Sequence, residues 1–313
     1  MDHRSISRRT FIFGSALAMG GCATARRRSL KKMGYISPNE KLFVAGIGIG
    51  GKGSSDVDGC NSETIVALCD VDWKRAGGTF NRYPNAKKYR DFREMFDKER
   101  SIDAVTVSTA DHVHAVAAMH AIKRGINVYV QKPLTHTIHE ARVLTKAARE
   151  YGVATQMGNQ GHSGVDDRRF CEMVWSGVLG EIREVHTWTT RPIWPQGIPE
   201  PLPEEPIPEH IDWDLWLGPS PWRPYNSDYA PFKWRGWWDF GTGALGDMGC
   251  HVLDAPNWAL QLGYPSSVEC VSQEGKNDQT GPLRCVLRYE FPERGSMPPV
   301  DRKSTRLNSS HYS

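Results

Sequence analysis

The glycine-rich segment VAGIGIGGKG, residues 44–53, constrains the fold more than any other stretch of the chain. Its G-x-G-x-x-G pattern directly follows a continuous apolar run and precedes a helix-like segment. Glycines in this pattern permit a tight turn, close approach of the backbone to a pyrophosphate, and close packing of a helix on a strand. We therefore predict a strand, a phosphate-binding loop and a helix whose N-terminus faces the pyrophosphate. The predicted cofactor-binding residues of the loop are Gly46, Gly48, Ile49, Gly50 and Gly51.

Strand-like and helix-like segments alternate along the first half of the chain. Five apolar runs are typical of strands buried on both faces. These runs are residues 41–48, 64–70, 103–109, 126–132 and 153–159. Helical periods at 114–125 and 138–152 each end on glycine, which favours a helix C-cap. The alternation predicts an α/β fold whose N-terminal Rossmann domain, residues 38–158, is a doubly wound parallel sheet.

The composition changes beyond residue 158. Residues 191–224 hold ten prolines, and ten of the eleven tryptophans lie between residues 175 and 258. Strand-like segments with more alternation recur at 181–190, 267–275 and 283–291. They predict a C-terminal α/β domain, residues 159–300, with an open, mostly antiparallel sheet that is incomplete here. We expect residues 191–224 to form a long ordered loop over that sheet.

The two ends of the chain differ from its body. Residues 1–32 contain Arg8-Arg9, a short apolar run and then small residues, which is typical of a twin-arginine export signal. We therefore expect an exported, periplasmic protein, with membrane contact only through lipidation of Cys22. The polar stretch at 301–311 resembles a translated sequencing adapter, so we expect the natural chain to be cut near Val300 and residues 301–313 to be an artefact.

The body of the chain is acidic once both ends are set aside. The full sequence has 39 basic and 36 acidic residues, of which eight and one lie in residues 1–32 and three and one in residues 301–313. The remaining 28 basic and 34 acidic residues argue against nucleic acid or an anionic membrane as a partner. Seven cysteines without a CxxC pair or metal-like spacing predict neither a disulfide framework nor a metal site. We expect the full-length protein to be a homo-oligomer.

Asp70 supports the prediction of a dinucleotide site. It lies 24 residues after Gly46, at the end of the second predicted strand, where a carboxylate can accept hydrogen bonds from both ribose hydroxyls. An acid at this position repels a 2′-phosphate, so NAD is the predicted cofactor. NADP stays possible because Lys74 and Arg75 are near.

The segment TADHVHA, residues 109–115, follows the third clear strand. Ligands of open α/β sheets bind at this edge, so we predict that Thr109, His112 and His114 line the cofactor cleft. Metal ligation is the alternative for the two histidines, and no acidic cluster in the sequence favours it. For Asp111, in the same segment, we expect a structural role instead, because its side chain could cap the following helix.

Five segments together resemble one known family. GIGIGGKG, CDVD, DAVTVSTADHVHA, VYVQKPLTHTIHEAR and GDMGCHVLD occur in the order and spacing of the glucose–fructose oxidoreductase/inositol dehydrogenase (Gfo/Idh/MocA) family. The resemblance covers about residues 40–295 and implies a Rossmann domain, an α/β domain with a mostly antiparallel sheet, NAD(P), and a sugar or polyol substrate. The family usually has Glu-Lys-Pro where this chain has Gln131-Lys132-Pro133. Gln131 is thus a predicted cofactor contact as a neutral amide.

The resemblance also implies catalytic residues. Lys132 would hydrogen-bond the reacting hydroxyl, and Pro133 would fix the exit of the chain, by a cis or a trans peptide. Asp247 and His251 are four residues apart and so share one helix face, which predicts His251 as a general base oriented by Asp247. A structural hydrogen bond is the alternative for this pair. Pro256 should kink the helix.

The segment FKWRGWWDF, residues 232–240, offers aromatic faces to a sugar ring. Arg235, Trp237 and Trp238 are therefore substrate-binding candidates, with packing as the alternative for the tryptophans. Three functions remain open: an NAD-dependent oxidoreductase of sugars, polyols or glycosides; a glycosidase or lyase that oxidises the sugar transiently; and a non-catalytic sugar-binding protein. Because free NAD is scarce outside the cytoplasm, export predicts a cofactor that is held tightly and regenerated within a catalytic cycle. This permits either an oxidoreductase with two coupled substrates or the second function.

Overall fold

The computed structural model describes the backbone of residues 40–306 and the side chains of residues 40–301. The predicted leader and residues 307–313 lie outside the described residues. In the described part of the chain, no helix has the length and apolar character needed to cross a membrane.

The residues that the structure describes contain ten strands and nine α-helices. The strands are β1 Phe43–Ile47, β2 Thr64–Cys69, β3 Lys87–Tyr89, β4 Ala104–Val107, β5 Asn127–Gln131, β6 Thr155–Gly158, β7 Glu184–Thr189, β8 Ser267–Glu274, β9 Arg284–Phe291 and β10 Val300–Arg306. The helices are α1 Lys52–Asp58, α2 Trp73–Arg82, α3 Phe92–Lys98, α4 Asp111–Ile122, α5 Ile138–Tyr151, α6 Val165–Trp175, α7 Trp213–Leu217, α8 Gly243–Val252 and α9 Asp254–Ala259.

The first six strands form one parallel sheet in the order β3-β2-β1-β4-β5-β6. Its central strands are buried on both faces: Ala45 and Val105 on one face, and Val44 and Thr106 on the other, have at most 4% of their surface exposed. The doubly wound Rossmann sheet predicted from the apolar runs is confirmed. The prediction lacked β3, because this short edge strand begins with two exposed lysines and carries no apolar run.

Helix α5 shows how local sequence signals set an element's ends. The Thr137 side chain accepts a hydrogen bond from the Glu140 backbone, and the Glu140 side chain accepts one from the Thr137 backbone, which is a capping box. The helix ends at Gly152, whose φ of 63° is left-handed. The predicted glycine C-cap is confirmed there.

The second sheet has the order β7-β10-β9-β8. Strand β10 pairs in parallel with β7 and antiparallel with β9, and β8 pairs antiparallel with β9. The mostly antiparallel second sheet is therefore confirmed. Strand β10 continues to Arg306, past the point near Val300 where we expect the natural chain to be cut. That boundary stays a prediction.

Part of the proline-rich segment packs on the first sheet instead of the second. We name residues 210–219 the strap. The Trp73 amide donates to the His210 carbonyl (3.1 Å), and the Asp212 amide donates to the Val71 carbonyl (3.0 Å). The prediction of a loop over the second sheet is wrong for the strap, because its backbone satisfies polar groups that follow β2.

The helix predicted around the catalytic pair is two helices that meet at Leu253. The Leu253 amide still donates to the Gly249 carbonyl, whereas Pro256 has no amide hydrogen to donate to Val252. The predicted kink is confirmed. Asp247 and His251 lie on α8, and Asp254 opens α9.

Candidate active site

The glycine loop follows β1 and passes close to the end of β4. Gly48 has a φ of +73°, and a Cβ there would lie 2.7 Å from the Thr109 nitrogen. Any side chain would therefore clash with backbone, so this position requires glycine. The predicted neighbourhood of Gly48 and Thr109 is present, and both residues line the cleft described below.

The close packing of α1 on the loop depends on Gly53. A Cβ on Gly53 would lie 1.7 Å from the Gly48 carbonyl oxygen, whereas one on Gly51 would meet only the flexible end of Arg75. The sequence analysis assigned this packing role to the glycines of the motif and missed Gly53. The glycine two residues beyond the motif, in GGKG, was the available signal.

Two of the predicted loop residues pack inward. The Ile49 side chain is fully buried in an apolar cluster with Val57 and Leu68, so only its backbone belongs to the loop surface. Gly46 lies within β1, where a Cβ would come 2.7 Å from Val57. Gly46 and the Ile49 side chain thus pack α1 against the sheet, and the predicted cofactor contacts of these two residues stay a prediction.

Asp70 lies at the end of β2, beside the loop. Its carboxylate accepts hydrogen bonds from the amides of Gly50 (3.0 Å) and Asp72 (2.9 Å). Burial raises the pKa of Asp70 to about 6. The carboxylate is thus oriented at the cleft, as recognition of a ribose requires. The glycine turn and this carboxylate fit a dinucleotide.

A cleft of about 380 Å³ opens at the carboxyl ends of the parallel strands. The first domain contributes the glycine loop, Asp70 and Thr109 to its lining. The second domain contributes the strap and residues 230–235. Arg235 lies in this lining and also contacts Asp247, which connects the cleft to the catalytic residues.

Lys132 and Asp247 form an ion pair across 115 positions of sequence. The Lys132 ammonium donates to the Asp247 carboxylate (2.6 Å) and to the Asp247 backbone carbonyl (2.8 Å). The Arg235 guanidinium donates to the same carboxylate oxygen (3.2 Å). The Lys132 and Asp247 side chains are 16% and 11% exposed, so solvent screens the pair weakly. The pair lies outside the lining of the cleft itself.

His251 is one helical turn from Asp247 and is exposed to solvent. No hydrogen bond joins the two side chains in the described part of the chain; the Asp247 carboxylate instead contacts Lys132 and Arg235. The prediction that Asp247 orients His251 is therefore wrong. Partial burial and the charge of Lys132 lower the pKa of His251, and the weaker effects of Asp247 and Asp254 oppose them. His251 is therefore neutral at neutral pH, which is the form a general base needs.

Asp111 is a buried carboxyl group beside this pair. It does not cap α4, whose cap is Ala110, and instead accepts a hydrogen bond from the Thr242 hydroxyl (2.9 Å). Burial raises the pKa of Asp111 to about 7, although Arg235 and Lys132 oppose the shift. The sequence analysis considered Asp111 only as a helix cap.

His112 faces away from the cleft. Its ring nitrogens lie 3.1 Å from the Phe240 carbonyl oxygen and 2.9 Å from that of Trp216, and burial lowers its pKa to about 4. The prediction that His112 lines the cofactor cleft is wrong, because the ring is absent from the lining of the cleft and lies against two backbone carbonyls of the second domain, one of which accepts the single N–H of the neutral imidazole. His114 similarly contacts the carbonyls of Pro133 (2.7 Å) and Thr109 (3.1 Å).

Gln131 also points inward. Its side-chain amide donates to the Asp56 carboxylate (2.9 Å), which accepts a further hydrogen bond from the Ser108 hydroxyl (2.7 Å) and an ion pair from Lys52. Gln131 is 6% exposed and does not line the cleft. The predicted direct cofactor contact of Gln131 is therefore corrected to a contact with α1.

The two tryptophans of the substrate prediction have different environments. Trp237 is 1% exposed and packs edge-on against Tyr229, so it offers no face to a ligand. Trp238 is 38% exposed and lies beside Gly243, the first residue of α8. Trp238 remains a substrate-binding candidate with Arg235, and Trp237 does not.

No cluster of three or more His, Cys, Asp or Glu side chains in the described residues is placed to hold a metal ion.

The peptide bond between Lys132 and Pro133, whose isomer the sequence analysis left open, is cis.

Comparison with known proteins matches both domains to one oxidoreductase family. The family model for the NAD-binding Rossmann fold of GFO_IDH_MocA matches residues 42–159. The model for the C-terminal alpha/beta domain of the same family matches residues 171–294.

Among relatives, the D-glucoside 3-dehydrogenase of Escherichia coli (strain K12) is 26% identical over 206 residues, which are 66% of this chain and 48% of that protein. Glycosyl hydrolase family 109 protein 2 of Shewanella sp. (strain ANA-3) is 25% identical over 205 residues, which are 58% and 44% of the two chains. The chain thus spans about half the length of these relatives. The crystal structure of a WlbA dehydrogenase from Chromobacterium violaceum with NADH and UDP-GlcNAcA has a TM-score of 0.64 at 16% identity, covering 88% of this chain and 70% of that one.

Proposed function

The chain belongs to the Gfo/Idh/MocA oxidoreductase family and has its NAD-binding Rossmann domain, and on this premise we propose that it oxidises a hydroxyl group of a sugar, polyol or glycoside. The loop around Gly48 and Gly50, with Asp70 and Thr109, would hold NAD. Bound NAD accepts the hydride from the substrate carbon. The D-glucoside 3-dehydrogenase relative supports a carbohydrate as the substrate class.

Lys132 stabilises the oxygen from which the proton leaves. Its ammonium lies at the end of β5, and the carboxylate and backbone carbonyl of Asp247 position it there. A fixed positive charge in a weakly solvated site stabilises negative charge that develops on the reacting oxygen. Asp247 therefore acts as a positioning residue for Lys132, with Arg235 as a second cation on the same carboxylate.

His251 takes the hydroxyl proton. Partial burial and the nearby ammonium lower the pKa of His251, so a ring nitrogen can accept the proton near neutral pH. Its exposure allows that proton to pass on to solvent.

The observation that carries this proposal is the Lys132–Asp247 pair, which joins β5 of the cofactor domain to α8 of the second domain. The test is Lys132→Met, with the exposed Lys123→Met as the control. With NAD and a panel of sugars, polyols and glycosides, we expect a roughly 100-fold or greater fall in turnover for Lys132→Met. Unchanged turnover of Lys132→Met would exclude the catalytic role of Lys132. Normal sugar binding with no turnover by the natural protein would leave a non-catalytic sugar-binding protein as the function.

A second candidate function is a glycosidase that returns the hydride to the sugar. The glycosyl hydrolase relative favours it. Product analysis separates the two functions, because net oxidation accumulates reduced nicotinamide, whereas the glycosidase releases a sugar from a glycoside without lasting absorbance of reduced nicotinamide.

We also propose that the protein is exported by the twin-arginine pathway, as the Arg8-Arg9 motif indicates. Cell fractionation of the natural chain and of Arg8→Lys/Arg9→Lys tests this. We expect the protein in the periplasm for the natural sequence and in the cytoplasm for the variant.

A further inference from the structure

The strap, residues 210–219, encloses one end of the cleft although it follows the Rossmann domain by more than fifty residues of sequence. Its Ile211, Leu215 and Trp216 line the same cleft as Asp70 and Arg75. The first sheet orders β2 and β5 on opposite sides of β1 and β4, so this end of the cleft is remote from Lys132. In dinucleotide-binding folds, the acid that ends β2 binds the adenosine ribose.

The strap is attached to the Rossmann domain at both ends. At its start, the Trp73 amide donates to His210 and the Asp212 amide donates to Val71. Near its other end, the carbonyl of Trp216 lies 2.9 Å from a ring nitrogen of the buried His112. These contacts place the strap between the end of β2 and the start of α4, across the cleft.

We propose that the strap forms half of the adenosine subsite and sets the rate at which NAD leaves the protein. The apolar Leu215 and Trp216 suit the face of an adenine, and Asp70 on the Rossmann side suits the ribose hydroxyls. The adenosine must then leave past a segment that is hydrogen-bonded on both sides. This inference rests on the proposed binding of NAD and adds the residues that retain it.

Trp73→Pro tests the attachment of the strap. Trp73 is the first residue of α2, where proline is tolerated, and Asp72 before it is extended, as a residue before proline should be. The substitution removes the amide hydrogen that binds His210. Trp73→Ala is the matched control, because it removes the same indole and keeps the amide. Leu215→Ala tests the lining, with the exposed Leu179→Ala as its control.

The measurement is the dissociation rate of NAD from the full-length protein, with the melting temperature of each variant as a check on folding. We expect Trp73→Pro to release NAD roughly three- to tenfold faster than Trp73→Ala, since one hydrogen bond is lost. We expect a change of similar size for Leu215→Ala relative to Leu179→Ala. Equal rates within both pairs overturn the proposal.

Failure of the strap proposal and failure of the proposed function give different results. If the natural protein shows no NAD binding by calorimetry, both fail. If it binds NAD and all four variants release it at the same rate, NAD binding stands and only the role of the strap is excluded.

Discussion

The amide of Gln131 donates a hydrogen bond to the carboxylate of Asp56, and both side chains are buried between β5 and α1. This contact gives a physical reason for the departure from the family's Glu-Lys-Pro. A glutamate at 131 would place a second carboxylate against Asp56 and would lose the only amide donor of the contact. Gln131 and Asp56 therefore act as a pair that fixes α1, and with it the glycine loop, against the strand that carries Lys132.

We predict that Gln131→Glu destabilises the fold by about 2 kcal/mol at neutral pH, because two buried carboxylates meet. Asp56→Asn in the same chain restores an amide donor to the contact. The free energy of unfolding of the two single variants and the double variant forms a double-mutant cycle. Additive losses would show that the two side chains do not interact.

Two charged side chains near His251 have opposite effects on its pKa. Lys132 lowers this pKa and Asp247 raises it. Lys132→Met should therefore raise the pKa of His251, and Asp247→Asn should lower it further. Titration of the imidazole by NMR measures both shifts without requiring activity. The acid limb of kcat/KM in the natural protein should lie below the ordinary pKa of histidine and should vanish in His251→Ala. Shifts of the same sign in both variants would contradict the arrangement.

The raised pKa of Asp111 predicts that the free energy of unfolding depends on pH. Its folded pKa of about 7 exceeds the ordinary value of an aspartate, so the folded state binds this proton more tightly than the unfolded state. The resulting stability is present below pH ~4 and is lost as the pH rises through about 7. Asp111→Asn keeps an acceptor for Thr242 and removes the titration. Between pH 4 and 8, its stability relative to the natural protein should therefore rise by up to about 4 kcal/mol. A constant difference in the free energy of unfolding across this range would refute the assignment.

Gly53→Ala should disrupt the phosphate loop. The added Cβ would lie 1.7 Å from the Gly48 carbonyl oxygen, so the loop or α1 must move. We expect a loss of stability of about 2 kcal/mol or more and weaker NAD binding. Gly78→Ala is the matched control, since a Cβ there meets nothing within 4 Å and Gly78 lies inside α2. This control should gain about 0.5–1 kcal/mol from helix propensity. Equal effects of the two substitutions on NAD binding and on thermal unfolding would exclude the packing role.

The features predicted best from sequence are those with local signals. The apolar runs located the parallel strands, and Gly152 marked the end of α5. The contact between the strap and β2 was missed, because backbone amides bond to distant carbonyls without leaving a pattern in the side chains.

The prediction that Asp247 and His251 are partners was wrong for a physical reason. The spacing of Asp247 and His251 correctly predicts one helix face. It does not show that Lys132, distant in sequence, is the partner of Asp247. Helical spacing predicts which residues are neighbours, whereas the strongest available charge decides which of them bind.

The strap also limits how the two domains can be exchanged between related proteins. A chimera cut near residue 159 would take its glycine loop and Asp70 from one parent and residues 210–219 from the other. The amides of Trp73 and Asp212 would then have to form their hydrogen bonds with backbone carbonyls that come from the other parent. For recombination or domain grafting, the cofactor module of this protein is therefore discontinuous and includes the strap together with the parallel sheet.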